Sequence, residues 1–253
     1  MNDLEKYFYA NEERLIHKWL HYFEIYDNHF KRFRDKEIVI VEIGVFHGGS
    51  LQMWKNYFGD KAKIYGIDIN PRVKELEEEN IKILIGSQSD KQFLRKIKNE
   101  LPAIDILIDD GGHRMNQQIT TFQELYGKIK PDGIYLCEDL LTSYQLLYGG
   151  GHKRRGSFIE FTKNWIDQLN AYYTEQSSLK VDELTRSMHS IHYYDSMVVI
   201  EKRPHLPPVV EKRGKPVFSE EPVETAKSIR FFLLVKLNQL FRFFRLPSYK
   251  FKD

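Results

Sequence analysis

Five short apolar runs, each followed by a longer amphipathic stretch, constrain the fold of this chain more than any other feature. The runs begin at Ile38, Lys63, Ile81, Ile104 and Gly133. They are rich in β-branched residues, which favour strands, and the stretches between them have helical length and periodicity. This alternation predicts an α/β fold, a doubly wound, Rossmann-like, mostly parallel sheet with helices on both faces.

The two ends of the chain differ from this middle part. Residues 184–192 and 196–202 lack a helical crossover between them, so we expect an antiparallel hairpin there. Apolar residues near helical spacing precede the first run, and prolines cluster after residue 203. We therefore predict an N-terminal helical segment over 1–36, one domain over 37–203, and a Pro-rich linker with an amphipathic tail over 204–253.

Composition excludes several classes of protein. The 253 residues carry 38 Lys and Arg against 36 Asp and Glu, a net charge of +2, so we expect no nucleic-acid partner. The single cysteine, Cys137, excludes a disulfide scaffold. The first residues show no secretion signal, and no apolar run is long enough to span a bilayer. These features predict a cytoplasmic protein.

The ends of the first three runs carry residues suited to a nucleotide. Gly44 follows the first run in a Gly-x-x-x-Gly-Gly pattern, which differs from the usual dinucleotide motif. Asp68 ends the second run, where a carboxylate can accept both ribose hydroxyls. Gln88, after the third run, could border an adenine. The alternatives are a plain strand-to-helix turn at Gly44 and a helix N-cap at Asp68.

Acidic residues cluster after the fourth and fifth runs. Asp110 and His113 follow the fourth, and Glu138 and Asp139 follow the fifth. Adjacent parallel strands lie about 4.8 Å apart, so these side chains can converge. Oxygen-only carboxylate sets suit Mg²⁺, with Mn²⁺ left open, and histidine is suited to accept a proton near neutral pH. The alternatives are helix-capping carboxylates and an ordinary loop histidine.

Four strings carry a family resemblance: VEIGVFHGGSLQMWKNYF, IYGIDIN, IDDGGH and PDGIYLCEDL. Together they resemble the class I S-adenosylmethionine-dependent methyltransferases. More narrowly, they are similar to the branch of macrocin- and mycinamicin-type sugar O-methyltransferases. The resemblance extends over residues 38–202, and IDDGGH and CED are its specific part. The family's usual serine before the histidine is Gly112 here.

The resemblance implies an O-methyltransferase that uses S-adenosylmethionine and Mg²⁺ and acts on a sugar hydroxyl of a glycoside or surface-glycan precursor. It leaves a homo-oligomer open. It implies a role for each matching residue: Glu42, Gly44 and Asp68 on S-adenosylmethionine, Gln88 beside its adenine, Asp109 near its methionyl part, Asp110, Glu138 and Asp139 on the metal, and His113 as general base.

The tail combines basic and apolar residues. From Ala226 to Lys252 there is no acidic residue. A basic, Phe-rich amphipathic helix is typical of segments that lie in a membrane interface. We therefore expect peripheral contact with the inner membrane, the alternative being a helix packed on the enzyme or on a partner subunit. The basic residues are Lys227, Arg230, Lys236, Arg242, Arg245, Lys250 and Lys252.

Two rival functions stay open at the level of sequence. A nicotinamide-dependent sugar oxidoreductase uses a related sheet, but the glycine spacing and the acidic cluster disfavour it. A non-catalytic, membrane-recruited adaptor with a methyltransferase fold is disfavoured by the intact set of Asp110, His113, Glu138 and Asp139.

Overall fold

A computed structural model describes residues 1–218, 229–244 and 246–247. Two compact units divide the chain, Met1–Pro208 and Val209–Asp253. The first unit contains a seven-stranded sheet, and the second contains the tail helix.

The sheet has the predicted architecture. Strands β1 to β5 are parallel, and β7 and β6 extend the sheet antiparallel beyond β5, in the order β3-β2-β1-β4-β5-β7-β6. The mostly parallel sheet and the C-terminal antiparallel pair are thus confirmed. The strands are β1 (Val39–Ile43), β2 (Lys63–Asp68), β3 (Ile81–Ile85), β4 (Ile104–Asp109), β5 (Ile129–Cys137), β6 (Met188–Tyr194) and β7 (Met197–Lys202).

Local sequence explains where several helices begin. The Asp90 carboxylate accepts the backbone N–H of Gln92 and Phe93, and Ser157 caps its helix through Glu160 N–H. The helices of the first unit are α1 (Asp3–Ala10), α2 (Tyr22–Phe30), α3 (Gly49–Phe58), α4 (Lys91–Glu100), α5 (Met115–Leu125), α6 (Phe158–Leu169) and α7 (Glu183–Ser187).

Alternation along the strands produces two apolar layers. Ile40, Ile106 and Val199 face one side, where α2 and α3 cover them. Val41 and Leu107 face the other side, where α4, α5 and α6 cover them. Burial on both faces explains why the parallel strands are continuously apolar.

The N-terminal prediction was only partly right. Residues 11–21 are not helical but cross between α1 and α2 over the carboxyl edge of the sheet. Asn11 ends α1, and its side chain donates to the carbonyl oxygen of Arg14 at 2.9 Å. Tertiary contacts, above all those of Lys18 with Asp110 and Glu138, hold this 11–21 segment in place. They outweigh the helical spacing of its apolar residues.

Two smaller predictions were also wrong. We expect a helix from Val73 to Glu79, but the structure has only a short 3₁₀ turn, Pro71–Leu76. The Glu77 carboxylate accepts the N–H of Ile83, so the chain passes directly into β3. We expect a turn at residues 131–133, but these residues lie inside β5. The register of the pairing between β4 and β5 shifts there.

The second unit contains α8 (Ile229–Phe243), a helix within the predicted tail. Phe232, Leu233, Leu240 and Phe243 on it are exposed. Of the basic residues, Lys227, Arg245, Lys250 and Lys252 lie outside the described residues. No helix within the described part of the chain is long and apolar enough to cross a membrane.

Candidate active site

The parallel strands end in register, which brings their following residues to one edge. Ile43 pairs with Ile67 on one side and with Asp109 on the other, and Asp109 pairs with Cys137. The residues singled out from the sequence follow these positions directly. Ligands of open α/β sheets bind at such an edge.

A cavity of about 390 Å³ opens at this edge. Its walls come from the ends of β1, β2, β3, β4 and β5 and from the 11–21 segment. The chemically relevant lining residues are Leu15, Ile16, His17, Lys18, Gly44, Phe46, Ser50, Asp68, Gln88, Asp110, His113 and Asp139.

Gly44 occupies a position that no other residue could take. Its φ is +94°, and a Cβ there would lie 2.1 Å from the carbonyl oxygen of Asp110. Its N–H donates to Ile67 O at 2.8 Å, and Asp110 N–H donates to Ile43 O at 2.9 Å. Glycine therefore lets the ends of β1 and β4 close against each other beneath the cavity.

Asp68 lies at the cavity wall with its carboxylate oriented by backbone amides. Oδ2 accepts the N–H groups of Val45 at 2.8 Å and Phe46 at 3.2 Å, and Oδ1 accepts Asn70 N–H at 2.8 Å. A carboxylate oxygen accepts about two hydrogen bonds, so Oδ2 is fully used and Oδ1 keeps one acceptor position. Asp68 thus fixes the loop after β1 and still presents one acceptor position on Oδ1.

Gln88 and Asp109 form a buried pair. Gln88 Nε2 donates to Asp109 Oδ1 at 3.0 Å, and Gln88 Oε1 accepts Gly112 N–H at 2.6 Å. Burial raises the pKa of Asp109 to about 6. Its Oδ2 is buried and has no hydrogen-bond partner within residues 1–218. Gln88 lines the cavity, whereas Asp109 lies behind the wall.

Asp110, His113 and Asp139 converge on the cavity. His113 Nε2 lies 3.5 Å from Asp139 Oδ2 and 3.9 Å from Asp110 Oδ1. One ligand atom from each of the three residues lies within 4.8 Å of the others, close enough to share an ion. His113 and Asp139 both adopt left-handed backbone, with φ of 54° and 55°. Strain of this kind concentrates at functional sites.

Glu138 and Glu42 lie deeper and meet a cation that the sequence interpretation missed. Lys18 Nζ is 2.9 Å from Glu138 Oε2, 2.5 Å from Asp110 Oδ2 and 3.6 Å from Glu42 Oε1. The Lys18 side chain is 3% exposed. Tyr26 OH adds a 2.6 Å hydrogen bond to Glu138 Oε1. Glu138 is therefore already bound on both oxygens.

The pKa values of these groups follow from burial and charge. Burial raises the pKa of Glu138 well above its usual range, reinforced by the nearby Asp110. Burial also raises the pKa of Glu42. For Lys18, burial opposes the charge, but the surrounding carboxylates outweigh it and raise its pKa well above 10.5. No sequence signal pointed to Lys18, because it lies in a segment expected to be helical and far from every motif.

A second group of possible ligands lies where α2 contacts β6 and β7. His29, His192 and Glu201 approach within 4.8 Å. Glu201 Oε2 is already bound by Arg32 at 3.3 Å and by Arg203 at 3.1 Å. Two guanidinium groups oppose a further cation, so we interpret this group as a structural network that joins α2 to the sheet.

The seven-stranded, mostly parallel sheet with its antiparallel C-terminal pair is a Rossmann-like methyltransferase fold. Residues 41–140 match the family model described as a methyltransferase domain. The resemblance to sugar O-methyltransferases is confirmed by the relatives that follow.

Two curated relatives illustrate the similarity. The chain is 34% identical over 197 residues to 8-demethyl-8-alpha-L-rhamnosyl tetracenomycin-C 2'-O-methyltransferase of Streptomyces olivaceus, covering 74% of this chain and 52% of that protein. It is 33% identical to demethylmacrocin O-methyltransferase of Streptomyces fradiae, covering 74% and 51%. The chain thus spans about half the length of the curated relatives it matches.

A solved structure extends the likeness to three dimensions. The mycinamycin-pathway methyltransferase MycE, in complex with Mg, SAH and mycinamycin VI, superimposes with a TM-score of 0.71 at 26% identity. The match covers 92% of this chain and 58% of that one.

Proposed function

We propose that this protein is an S-adenosylmethionine- and Mg²⁺-dependent O-methyltransferase that acts on a sugar hydroxyl of a glycoside or surface-glycan precursor. The observation that carries the proposal is the convergence of Asp110, Asp139 and the His113 imidazole on the same cavity that Gly44 and Asp68 line. The sugar O-methyltransferases among its relatives support the acceptor class.

The cavity fits S-adenosylmethionine. Its volume of about 390 Å³ lies in the range of small-molecule sites, about 300–1,000 Å³. Asp68 Oδ1 would accept a ribose hydroxyl. Gly44, which lines the cavity, presents only backbone there. Gln88 would border the adenine. Glu42 and Asp109 lie behind the wall, each with one buried oxygen that has no hydrogen-bond partner in the described part of the chain, and would act on the cofactor's positive end through charge.

The acidic residues fit a divalent cation of the Mg²⁺ type. Asp110 and Asp139 offer carboxylate oxygens on the cavity side, and oxygen ligands are those that Mg²⁺ prefers. Glu138 would complete the set from behind. When bound, the ion would lower the pKa of a coordinated sugar hydroxyl and fix its direction.

His113 is suited to take the hydroxyl proton. Its Nε2 lies 3.5 Å from Asp139 Oδ2 and 3.9 Å from Asp110 Oδ1. These contacts hold the imidazole at the cavity, beside the carboxylates proposed to bind the ion. The remaining contribution of the chain is positioning, because methyl transfer needs the acceptor oxygen in line with the methyl group.

The test is methyl transfer itself. Methyl-labelled S-adenosylmethionine is incubated with the protein and with glycosides, nucleotide sugars and lipid-linked glycans, with and without chelator. We expect label on a sugar, and loss of transfer when the ion is removed. Transfer that survives chelation would contradict the role of the ion.

A binding measurement with S-adenosylmethionine and with NAD, made beside this assay, separates the rival functions. Binding of S-adenosylmethionine without transfer to any sugar would support the adaptor. Binding of NAD in preference to S-adenosylmethionine would support the oxidoreductase. A homo-oligomer is also consistent with the proposal and is read from the mass of the protein in solution.

We also propose that the tail helix α8 brings the protein to the inner face of the membrane. Exposed Phe232, Leu233 and Phe243 and the basic residues Lys236 and Arg242 support this contact. Apolar side chains can enter the interface while the cations meet anionic headgroups. Surface-glycan precursors carried on lipid would then be accessible.

A further inference from the structure

The 11–21 segment holds every carboxylate that the proposed function assigns to the ion. Lys18 Nζ binds Asp110 Oδ2 and both oxygens of Glu138. Trp19 Nε1–H donates to Asp139 Oδ1 at 3.2 Å. Two consecutive residues therefore bind all three acidic side chains.

From this arrangement we propose that the Lys18 ammonium stands in the place of the divalent ion, and that ion binding displaces Lys18 together with Trp19. The inference rests on the proposed function. It makes the 11–21 segment a cover that opens when the site is loaded with Mg²⁺.

Distances argue for exchange rather than coexistence. The ammonium nitrogen lies 2.5 Å from Asp110 Oδ2 and 2.9 Å from Glu138 Oε2. A magnesium ion bound to the same two oxygens, at about 2.1 Å from each, would occupy the same gap. The two cations would repel each other at that separation, because the surrounding protein screens charge poorly.

The contacts of the segment divide it into a fixed half and a weakly held half. Arg14 anchors the first half through Leu76 O at 3.1 Å and Glu78 Oε1 at 3.2 Å. In the second half, Trp19 and Leu20 are more than half exposed. The apolar contribution there is small, so polar contacts hold this half in place. They are those of Lys18 and Trp19 with the acidic residues and that of His21 Nε2 with Asp195 O at 3.1 Å. An ion bound to the same carboxylates would break the contacts of Lys18 and Trp19 and release these two residues. Arg14 would keep the chain attached.

The test measures ion binding and segment movement separately. MgCl₂ alone is titrated into the ion-free, full-length protein by calorimetry, and Trp19 emission is followed in parallel. The Trp19→Phe variant supplies the signal of the buried Trp54 and Trp165 for subtraction. We expect the Trp19 signal to change with the same midpoint as the heat.

Variants at Lys18 test the exchange directly. Lys18→Met removes the competing cation, and we expect it to bind Mg²⁺ at least tenfold more tightly. Lys18→Arg keeps the cation and the fold, and should bind within about threefold of the wild type. Lys6→Met is the matched control: it removes one positive charge from an exposed position on α1, away from the cavity, and should leave the affinity unchanged.

Each outcome has one meaning. Heat without a change in Trp19 emission, or wild-type affinity in Lys18→Met, overturns the exchange and leaves the proposed function intact. Absence of Mg²⁺ binding in both proteins overturns the ion requirement of the proposed function, and the exchange with it. Equal tightening in Lys6→Met shows a general charge effect and also overturns the exchange.

Discussion

His113 and Asp139 adopt left-handed backbone although neither is glycine, and one hydroxyl contacts the backbone of both. Thr142 Oγ1 lies 3.0 Å from the carbonyl oxygen of His113 and 2.7 Å from that of Asp139. Thr142 is itself buried. Such backbone costs about 1–3 kcal/mol per residue and lasts only where its surroundings enforce it. Thr142 is therefore a positioning residue for the proposed base and its neighbouring carboxylate.

Replacing Thr142 by valine should separate positioning from binding. Thr142→Val keeps the shape but removes the hydroxyl, so we expect kcat to fall about tenfold, since misplacement by a fraction of an ångström is costly. KM for S-adenosylmethionine should stay within twofold. Thr142→Ser, which keeps the hydroxyl, should retain most activity. Equal kinetics in the valine and serine variants would contradict the role.

His113→Ala should lower methyl transfer by about 10²–10⁴-fold, the usual contribution of a positioned base. S-adenosylmethionine binding should be unchanged, because the ring contacts the acidic residues rather than Asp68. Formation of labelled product at saturating acceptor measures methyl transfer, and calorimetry measures the binding of S-adenosylmethionine. His189→Ala, at an exposed position of β6, is the matched control. Undiminished transfer in His113→Ala would exclude the proposed base.

Asp109 predicts a pH effect on stability. Its pKa of about 6 in the folded protein exceeds the ordinary value of 3.8 because of burial. The folded state then binds the extra proton, so the free energy of unfolding falls as pH rises from about 4 through 6. Above pH 6, where Asp109 is ionised in the folded protein, its burial lowers the free energy of unfolding by about 3 kcal/mol.

Asp109→Asn removes the buried charge and keeps an acceptor for Gln88. Relative to the wild type, it should gain about 3 kcal/mol of unfolding free energy between pH 4 and pH 7.5, measured by urea denaturation at each pH. A difference between the two proteins that does not change with pH would show that Asp109 ionises normally.

At the scale of elements, local sequence determined the sheet but not the segment that covers its edge. The strands were predictable because their β-branched runs are buried on both faces, and the tips of β1, β4 and β5 placed the acidic residues correctly. The 11–21 segment was not predictable. Its apolar spacing is helical, yet the contact between Lys18 and Glu138 joins residues 120 positions apart, and no local pattern records it.

The tail helix has properties that make its membrane contact measurable. Lys236 and Arg242 each add about 1 kcal/mol of attraction near an anionic surface. The double variant Lys236→Gln, Arg242→Gln should therefore bind anionic vesicles about 30-fold more weakly, while neutral vesicles bind both proteins alike. Vesicle co-sedimentation at low salt measures this. Unchanged partition after removal of residues 209–253 would exclude α8 as the anchor.

At the scale of the whole molecule, the division at Pro208 separates the proposed chemistry from the proposed anchor. Every residue that lines the cavity lies between Leu15 and Asp139, inside the first compact unit. A ligand that binds only the folded cavity raises the free energy of unfolding. The increase depends on the ratio of the ligand concentration to Kd. At 100 times Kd this amount is about 2.7 kcal/mol.

S-adenosylhomocysteine, the expected product, should therefore raise the free energy of unfolding of the full chain and of residues 1–208 by the same amount. Urea denaturation with and without the ligand measures both, and NAD at equal concentration serves as the control. A shift in the full chain that disappears on truncation would mean that residues 209–253 complete the cofactor site. Equal shifts would place cofactor binding wholly in the first unit and leave the tail free for contact with a membrane.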